Sequence, residues 1–138
     1  MIVQTQTTSF KAELYEGIHD LLTDTIKIAL YTAYADLDAA TTAYITTNEV
    51  VGTGYVAGGN TLSGATVQTS GTTVYVSFNN TSWASASFTC RGALIYNYTK
   101  GNKSIGVFNF GTDQSMTNQG FTIQLPADNP ETAVIRII

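Results

Sequence analysis

The chain holds one histidine, His19, and one cysteine, Cys90, among 138 residues. These two limit the chemistry it can carry. A thiolate–imidazole pair would need His19, in a segment with helical spacing, to sit beside Cys90, in a segment with strand spacing. A cysteine among apolar strand residues is far more often a small buried hydrophobe. The usual cysteine and histidine zinc clusters cannot be assembled from one of each. No Gly-x-Ser-x-Gly elbow occurs, so a Ser-His-Asp hydrolase lacks its signature, and no P-loop is present. Gly52-Thr53-Gly54 is half a dinucleotide fingerprint, but it opens no helix and lacks the third glycine, so it reads as loop. Asp36-x-Asp38 could offer oxygens to Ca²⁺, yet the flanking spacing is not that of an EF-hand, and a solvated acidic turn accounts for it. Glu13 and Glu16 lie one helical turn apart and read as a solvated helix face. The sequence therefore assigns no catalytic residue, no cofactor-binding residue and no metal ligands, and the chain is expected not to be an enzyme.

Composition points the same way. Charged residues make up 12% of the chain, about half the share of roughly 25% in ordinary globular domains. The formal net charge is −4, and the basic residues (Lys11, Lys27, Arg91, Lys100, Lys103, Arg136) form no run or stripe. Nucleic acid, whose binding draws on phosphate neutralisation, is not an expected partner. No apolar run approaches the roughly 20 residues of a membrane helix, so no membrane is expected either. A single cysteine excludes an intrachain disulfide. Met1–Gln6 has neither a basic n-region nor an apolar h-region, so the expectation is synthesis and folding in the cytoplasm. The Asn-x-Ser/Thr triplets at Asn79, Asn80, Asn97 and Asn102 then read as turn chemistry rather than glycosylation sites.

The elements that would have to position any site are mostly strands. Met1–Ser9 is a polar arm, either an edge strand or an extension reaching a neighbour. Phe10, Leu14 and Ile18, continued by Leu21 and Leu22, give one amphipathic helix with Ser9 as N-cap and a weak point at Gly17; His19 falls near its end. Thr25–Tyr31 alternates as a strand. Thr32–Asn60 is a long excursion with a short helical turn expected around Thr42–Thr47. Excursions of this length are usually functional or disordered, and Tyr34, Tyr44 and Tyr55 argue for order. Thr61–Gln68 and Thr72–Phe78 flank a Thr69-Ser70-Gly71 turn. Tyr98–Asn102 joins the next pair of strands, the second beginning at Ser104. Gly111–Ser115 reads as a polar turn, Phe121–Leu125 as a strand, Pro126–Pro130 as a turn and Thr132–Ile138 as a last strand.

The organising stretch is Ser82–Asn97. It alternates from Trp83 through Phe88 to Cys90, then becomes the continuous apolar block Ala93-Leu94-Ile95-Tyr96. The first pattern is a strand with one buried face, the second a strand buried on both. One strand of this length exceeds the usual five or six residues or so, so a bend or bulge is expected near Arg91-Gly92. Trp83, Phe88, Leu94 and Tyr96 are the expected core. The whole is one domain, 1–138: a mainly β, two-sheet sandwich of seven or eight strands with one short N-terminal helix. Jelly-roll-like and Ig-like Greek-key connections both remain open.

Four segments carry a resemblance: Lys27–Tyr31, Thr53–Gly59, Trp83–Phe88 and Arg91–Asn97. Through them the chain resembles small virion proteins of tailed bacteriophages, most closely a capsid cement (decoration) protein of the jelly-roll type that clamps an HK97-like shell. The resemblance spans about Lys27 to Phe121 and carries no catalytic motif. It implies a structural protein on the capsid exterior that binds major capsid protein and itself, as a homodimer or homotrimer. The expected contacts lie on the arm, the excursion and the Tyr98–Asn102 loop, at Val3, Thr5, Tyr44, Tyr55 and Tyr98. The alternative from the same surface logic is a head-fibre or tail host-attachment module that binds glycans through its loop tyrosines.

Overall fold

A continuous apolar run makes a strand that must be covered on both faces, and two such strands form the middle of the largest sheet. The structure is a computed structural model that describes residues 1–125, 133 and 135–137. Strands β2 (Ile26–Tyr31) and β7 (Thr89–Asn97) pair antiparallel, from Ile26 opposite Asn97 to Tyr31 opposite Gly92. Around them lie β1 (Thr5–Gln6), β3 (Asn60–Thr61) and the long β8 (Lys103–Ser115), giving a five-stranded sheet of order β1-β8-β7-β2-β3. Two smaller sheets pack on one of its faces. One has the order β10-β5-β4, from β4 (Thr66–Ser70), β5 (Thr73–Ser77) and β10 (Arg136–Ile137); the other pairs β6 (Thr81–Ala86) with β9 (Gln119–Ile123). The fold is a mainly β sandwich with one short helix, α1 (Thr8–Tyr15). Seven strands have five residues or more, and β1, β3 and β10 are two-residue additions at sheet edges. Of the Pro126–Pro130 turn and the Thr132–Ile138 strand expected from sequence, only Ala133 and Ile135–Ile137 fall within the described residues.

The block Ala93–Tyr96 explains the layering. Ala93 and Ile95, with Ile26, Ile28 and Leu30, join the main core, which also takes Val76, Trp83, Phe88, Phe121, Ile123 and Ile135. Leu94 and Tyr96, with Ala29, Tyr31 and Val107, point the opposite way, onto Ile2, Ala35 and Leu37. The second face is thus covered by the N-terminal segment and by the excursion after β2. Of the two readings of the arm, the structure gives the edge strand. Thr5 and Gln6 pair with Val107 and Gly106, and Ile2 bridges Leu37 in parallel.

The segment expected as one strand over Ser82–Asn97 is two strands in two sheets. Backbone groups at the crossing are satisfied outside either ladder: the Ser87 amide donates to the Thr53 carbonyl (2.9 Å) and the Met116 amide to the Phe88 carbonyl (3.0 Å). Trp83 and Phe88 differ in parity, so strict alternation would place them on opposite faces. A register shift between Trp83 and Ala86, with Ser85 at φ +50°, restores both to the core. The expected irregularity near Arg91-Gly92 is present as a register shift between Cys90 and Gly92. Opposite it, the expected polar turn at Gly111–Ser115 does not reverse the chain. It is a bulge inside β8, where the partners jump from Asn109 to Gln114, and Arg91 Nε donates to Asp113 Oδ1 across it (2.9 Å).

The helix is shorter than its apolar spacing suggests. Its N-cap is Thr7, whose hydroxyl accepts from the Phe10 amide, rather than Ser9. Gly17, at φ +71°, ends it instead of weakening it. The Ile18 amide donates to Glu13 and the Gly17 amide to Leu14, which is a Schellman closure. Ile18, Leu21 and Leu22 therefore lie beyond the helix, and of the helical residues Phe10 is the one fully buried.

Candidate interaction surface

The excursion from Thr32 to Gly59 is ordered because it is hydrogen-bonded at both ends and in the middle. Near its start the Ser104 amide donates to Thr42 and the Tyr44 amide to Asn102. These bonds to the β7–β8 hairpin take the backbone groups that a helix would use, and the short helical turn expected at Thr42–Thr47 does not form. In the middle, the Val50 amide donates to Leu30 and the Thr32 amide to Asn48, laying Asn48–Val50 along the free side of β2. At the far end Gly59 comes so close to β2 that a Cβ there would sit 1.8 Å from the Ile28 carbonyl oxygen.

One carboxylate ties these points together. Glu49 is only 7% exposed. Its Oε1 accepts from the Tyr44 hydroxyl (2.6 Å), and its Oε2 accepts from the Tyr55 hydroxyl (2.5 Å) and the Gly58 amide (2.8 Å). The Tyr55 oxygen in turn accepts from the Leu30 amide (3.0 Å), a donor that β3 is too short to meet. Two strand tyrosines complete the cage. Tyr31 donates to the Ile45 carbonyl and Tyr96 to the Gly58 carbonyl, both at 2.6 Å. Tyr44 stacks on Tyr96, with centroids 4.7 Å apart and planes at 20°. Burial first, and the Glu49 charge with it, pushes all four phenols above their ordinary range, Tyr96 to about 12. A buried charge is tolerable where it is well hydrogen-bonded, and here three donors meet the carboxylate, from three places in the excursion.

The result is a rigid loop system that presents apolar side chains to solvent. Val51 is 96% exposed, Tyr34 85% and Val56 77%. Of the residues expected to make contacts, Val3 and Tyr98 are on the surface, and Lys27 Nζ lies 4.4 Å from the centre of the Tyr98 ring. Thr5 is half-buried in β1. Tyr44 and Tyr55 are turned inward, onto Glu49. Tyr55 is 9% exposed and packs near Trp83 and Phe88, so neither hydroxyl is free to meet a partner. Sequence reasoning missed Glu49, an isolated acid between Asn48 and Val50. The one available hint was an acidic residue in a segment rich in tyrosine.

The residues first weighed for chemistry are dispersed. Cys90 is fully buried, and burial, then the Asp113 charge, pushes its thiol up to about 12. Asp36 pairs with the Met1 amino group, which holds it below the usual carboxylate range. Asp38 accepts from the Ala40 amide and closes a turn. Among the described residues no group of three or more His, Cys, Asp or Glu side chains converges as metal ligands would. Asn97 has no exposed surface. Its Nδ2 donates to Asp24 Oδ2 (2.8 Å) and to His19 Nδ1 (3.0 Å), so the His19 proton sits on Nε2 and is donated to Glu13 Oε1 (2.9 Å). That network fastens the segment after α1 to the end of β7 and occupies both ring nitrogens of His19, one with Asn97 and one with Glu13.

No family model, curated protein or solved structure matches this chain.

Proposed function

We propose that the chain is a non-enzymatic structural protein of a phage virion. In this reading it binds the outer surface of the capsid and clamps neighbouring major capsid protein subunits, working as a homodimer or homotrimer. The observation that carries it is the excursion around Glu49, a long loop held without slack that displays Tyr34, Val51 and Val56. Large exposed aromatic and aliphatic side chains on a rigid support suit a protein interface, because little conformational entropy is lost when they are covered. The sequence resemblance supplies the partner. Each copy would bridge adjacent capsid subunits. With several contacts engaged together, the effective concentration of the later ones would turn modest affinities into firm retention.

The test is copy number in purified virions, with cosedimentation of the isolated protein on empty capsids. Hundreds of copies and saturable capsid binding, weakened by Val51→Asp and Tyr34→Ala, are the expected result. A handful of copies, no capsid binding and binding on a glycan array would instead establish the host-attachment alternative.

A further inference from the structure

We infer that His19 is a proton-operated latch: its neutral ring holds the Ile18–Leu22 segment to β7, and a charge on the ring releases it. The groups around the ring fix the neutral form. The Asn97 amide can stand only one way round, because its Nδ2 donates to Asp24 Oδ2 (2.8 Å) and its Oδ1 accepts from the Lys100 amide (3.2 Å). Desolvation would raise the Asp24 carboxyl, but the bonds from Asn97 and the Asp20 amide, with the Lys100 charge, hold it below its ordinary range. Asp24 is therefore ionised and can only accept. The second hydrogen of Asn97 Nδ2 points at His19 Nδ1 (3.0 Å), so Nδ1 is the bare nitrogen. The one ring proton lies on Nε2, facing Glu13 Oε1 (2.9 Å).

A second proton has to enter at Nδ1, where it meets the Asn97 amino group, donor against donor. Turning the amide over does not help. Oδ1 would then face the Asp24 carboxylate and Nδ2 the Lys100 amide, two mismatches in place of one. Water does not reach the ring, since the His19 side chain has no exposed surface, and a buried donor without an acceptor is costly. The charges around the ring set the direction of the movement. Those that attract an imidazolium are Glu13, Asp20 and Asp24, all on the helix side of the joint. Those that repel it are Lys100 and Lys103, both on the β7–β8 hairpin; Lys103 Nζ lies 3.8 Å from Glu13 Oε2, and Lys100 acts on Asp24. A charged His19 is thus drawn to its own segment and driven from the hairpin. Little else polar holds it there. Among the described residues the backbone of Ile18–Leu22 bonds only within residues 13–24. The same segment, through His19, Asp20, Leu21 and Leu22, walls one side of a groove opposite Val67 and Ile137, so the latch also sets the width of that groove.

The latch does not depend on capsid binding, and its test uses the isolated full chain. Nuclear magnetic resonance follows it from about pH 7.5 to about pH 5, across the range in which imidazoles ordinarily change charge. At the upper end the ring nitrogens should show the Nε2–H tautomer, with a coupling across the Asn97–His19 bond. As the ring becomes charged that coupling should vanish. The Leu21 methyl groups should then become several-fold more accessible to a soluble neutral gadolinium chelate, approaching those of Leu22; in the latched form Leu21 is 8% exposed and Leu22 57%. His19→Gln, with wild-type Trp83 fluorescence, should show no change at Leu21 over the same range. If that variant does not fold, the wild-type ring signal still decides. A ring that stays neutral to the lower limit would overturn the inference, as would a charged ring that keeps Asn97 bonded and Leu21 covered. Exposure of Leu21 that follows pH equally in His19→Gln would overturn it too, by making a carboxylate the cause.

Discussion

Replacing Glu49 with alanine should release the excursion from the sheet while leaving the sandwich folded. The substitution removes the acceptor of three hydrogen bonds, from Tyr44, Tyr55 and the Gly58 amide. Hydrogen bonds to a charged group contribute about 1.5–3 kcal/mol each. Part of that gross loss is offset because a carboxylate no longer has to be kept out of water, and removing one member of a buried charged network costs about 3–5 kcal/mol net. With a denaturant slope of about 1–3 kcal/mol per molar urea, the midpoint should fall by roughly 2 M. Glu49→Gln is the informative control. Its carbonyl can still accept from Tyr55 and Gly58 while its amide donates to the Tyr44 oxygen, so the cost should be only about 1–2 kcal/mol as charge-assisted bonds become neutral ones. Amide exchange locates the effect. In Glu49→Ala the Gly58 and Leu30 amides should lose protection ahead of those in β7, since Leu30 donates to the Tyr55 oxygen that Glu49 holds in place. The reasoning fails if alanine costs less than about 1 kcal/mol, the net value of one ordinary hydrogen bond, or if Gly58 and Leu30 stay as protected as in wild type.

Two further outcomes follow from the same region. A free tyrosine loses its proton near pH 10, while Tyr96 in the fold holds its proton to about 12. Between those values the unfolded chain binds fewer protons than the folded one, so Tyr96 should lower stability as pH rises beyond about 10, adding to the loss that the buried Cys90 thiol begins nearer pH 9. Tyr96 alone should remove on the order of 2–3 kcal/mol by pH 12 or so, and urea midpoints that stay level across this window would contradict the cage. Gly59→Ala should be among the most damaging single substitutions, costing more than about 4 kcal/mol, because its Cβ meets the Ile28 carbonyl and φ is +78°. Gly71→Ala, with φ +60° and open space around it, should cost only about 1–2 kcal/mol. Equal effects in thermal melts would show that backbone approach at Gly59 is not what fixes the loop.

The sandwich was legible from the sequence because its cause is local. Continuity in Ala93–Tyr96 reports burial directly, and that block is buried on both faces as its pattern requires, whereas Thr25–Tyr31 alternates only as far as Ile28 and is buried on both faces from there to Tyr31. Errors came where a single residue resets the period. Ser85 at φ +50° shifts register without leaving a turn signature in composition, while the bulge at Gly111–Asp113 leaves one that reads as a chain reversal. Gly17 reads as a defect in a longer helix until the Schellman bonds of Ile18 and Gly17 are seen. The surface was less legible for a different reason. Tyr44 and Tyr55 have the residue type and loop position of contact residues, and only the three-dimensional position of Glu49 turns them inward.

That inversion bears on how the loop could bind anything. Had Tyr44 and Tyr55 faced solvent, the excursion would have had little to hold it down, and ordering it on contact would have cost roughly 1–2 kcal/mol for each backbone residue fixed. With their hydroxyls on Glu49, with Tyr31 bonded to Ile45 and with Tyr96 bonded to Gly58, that ordering takes place during folding. The tyrosines that looked like ligand contacts therefore act one step earlier. They hold Val51, Tyr34 and Val56 in fixed positions, so that a partner meeting them gains from burying apolar surface without also having to order the chain that carries it.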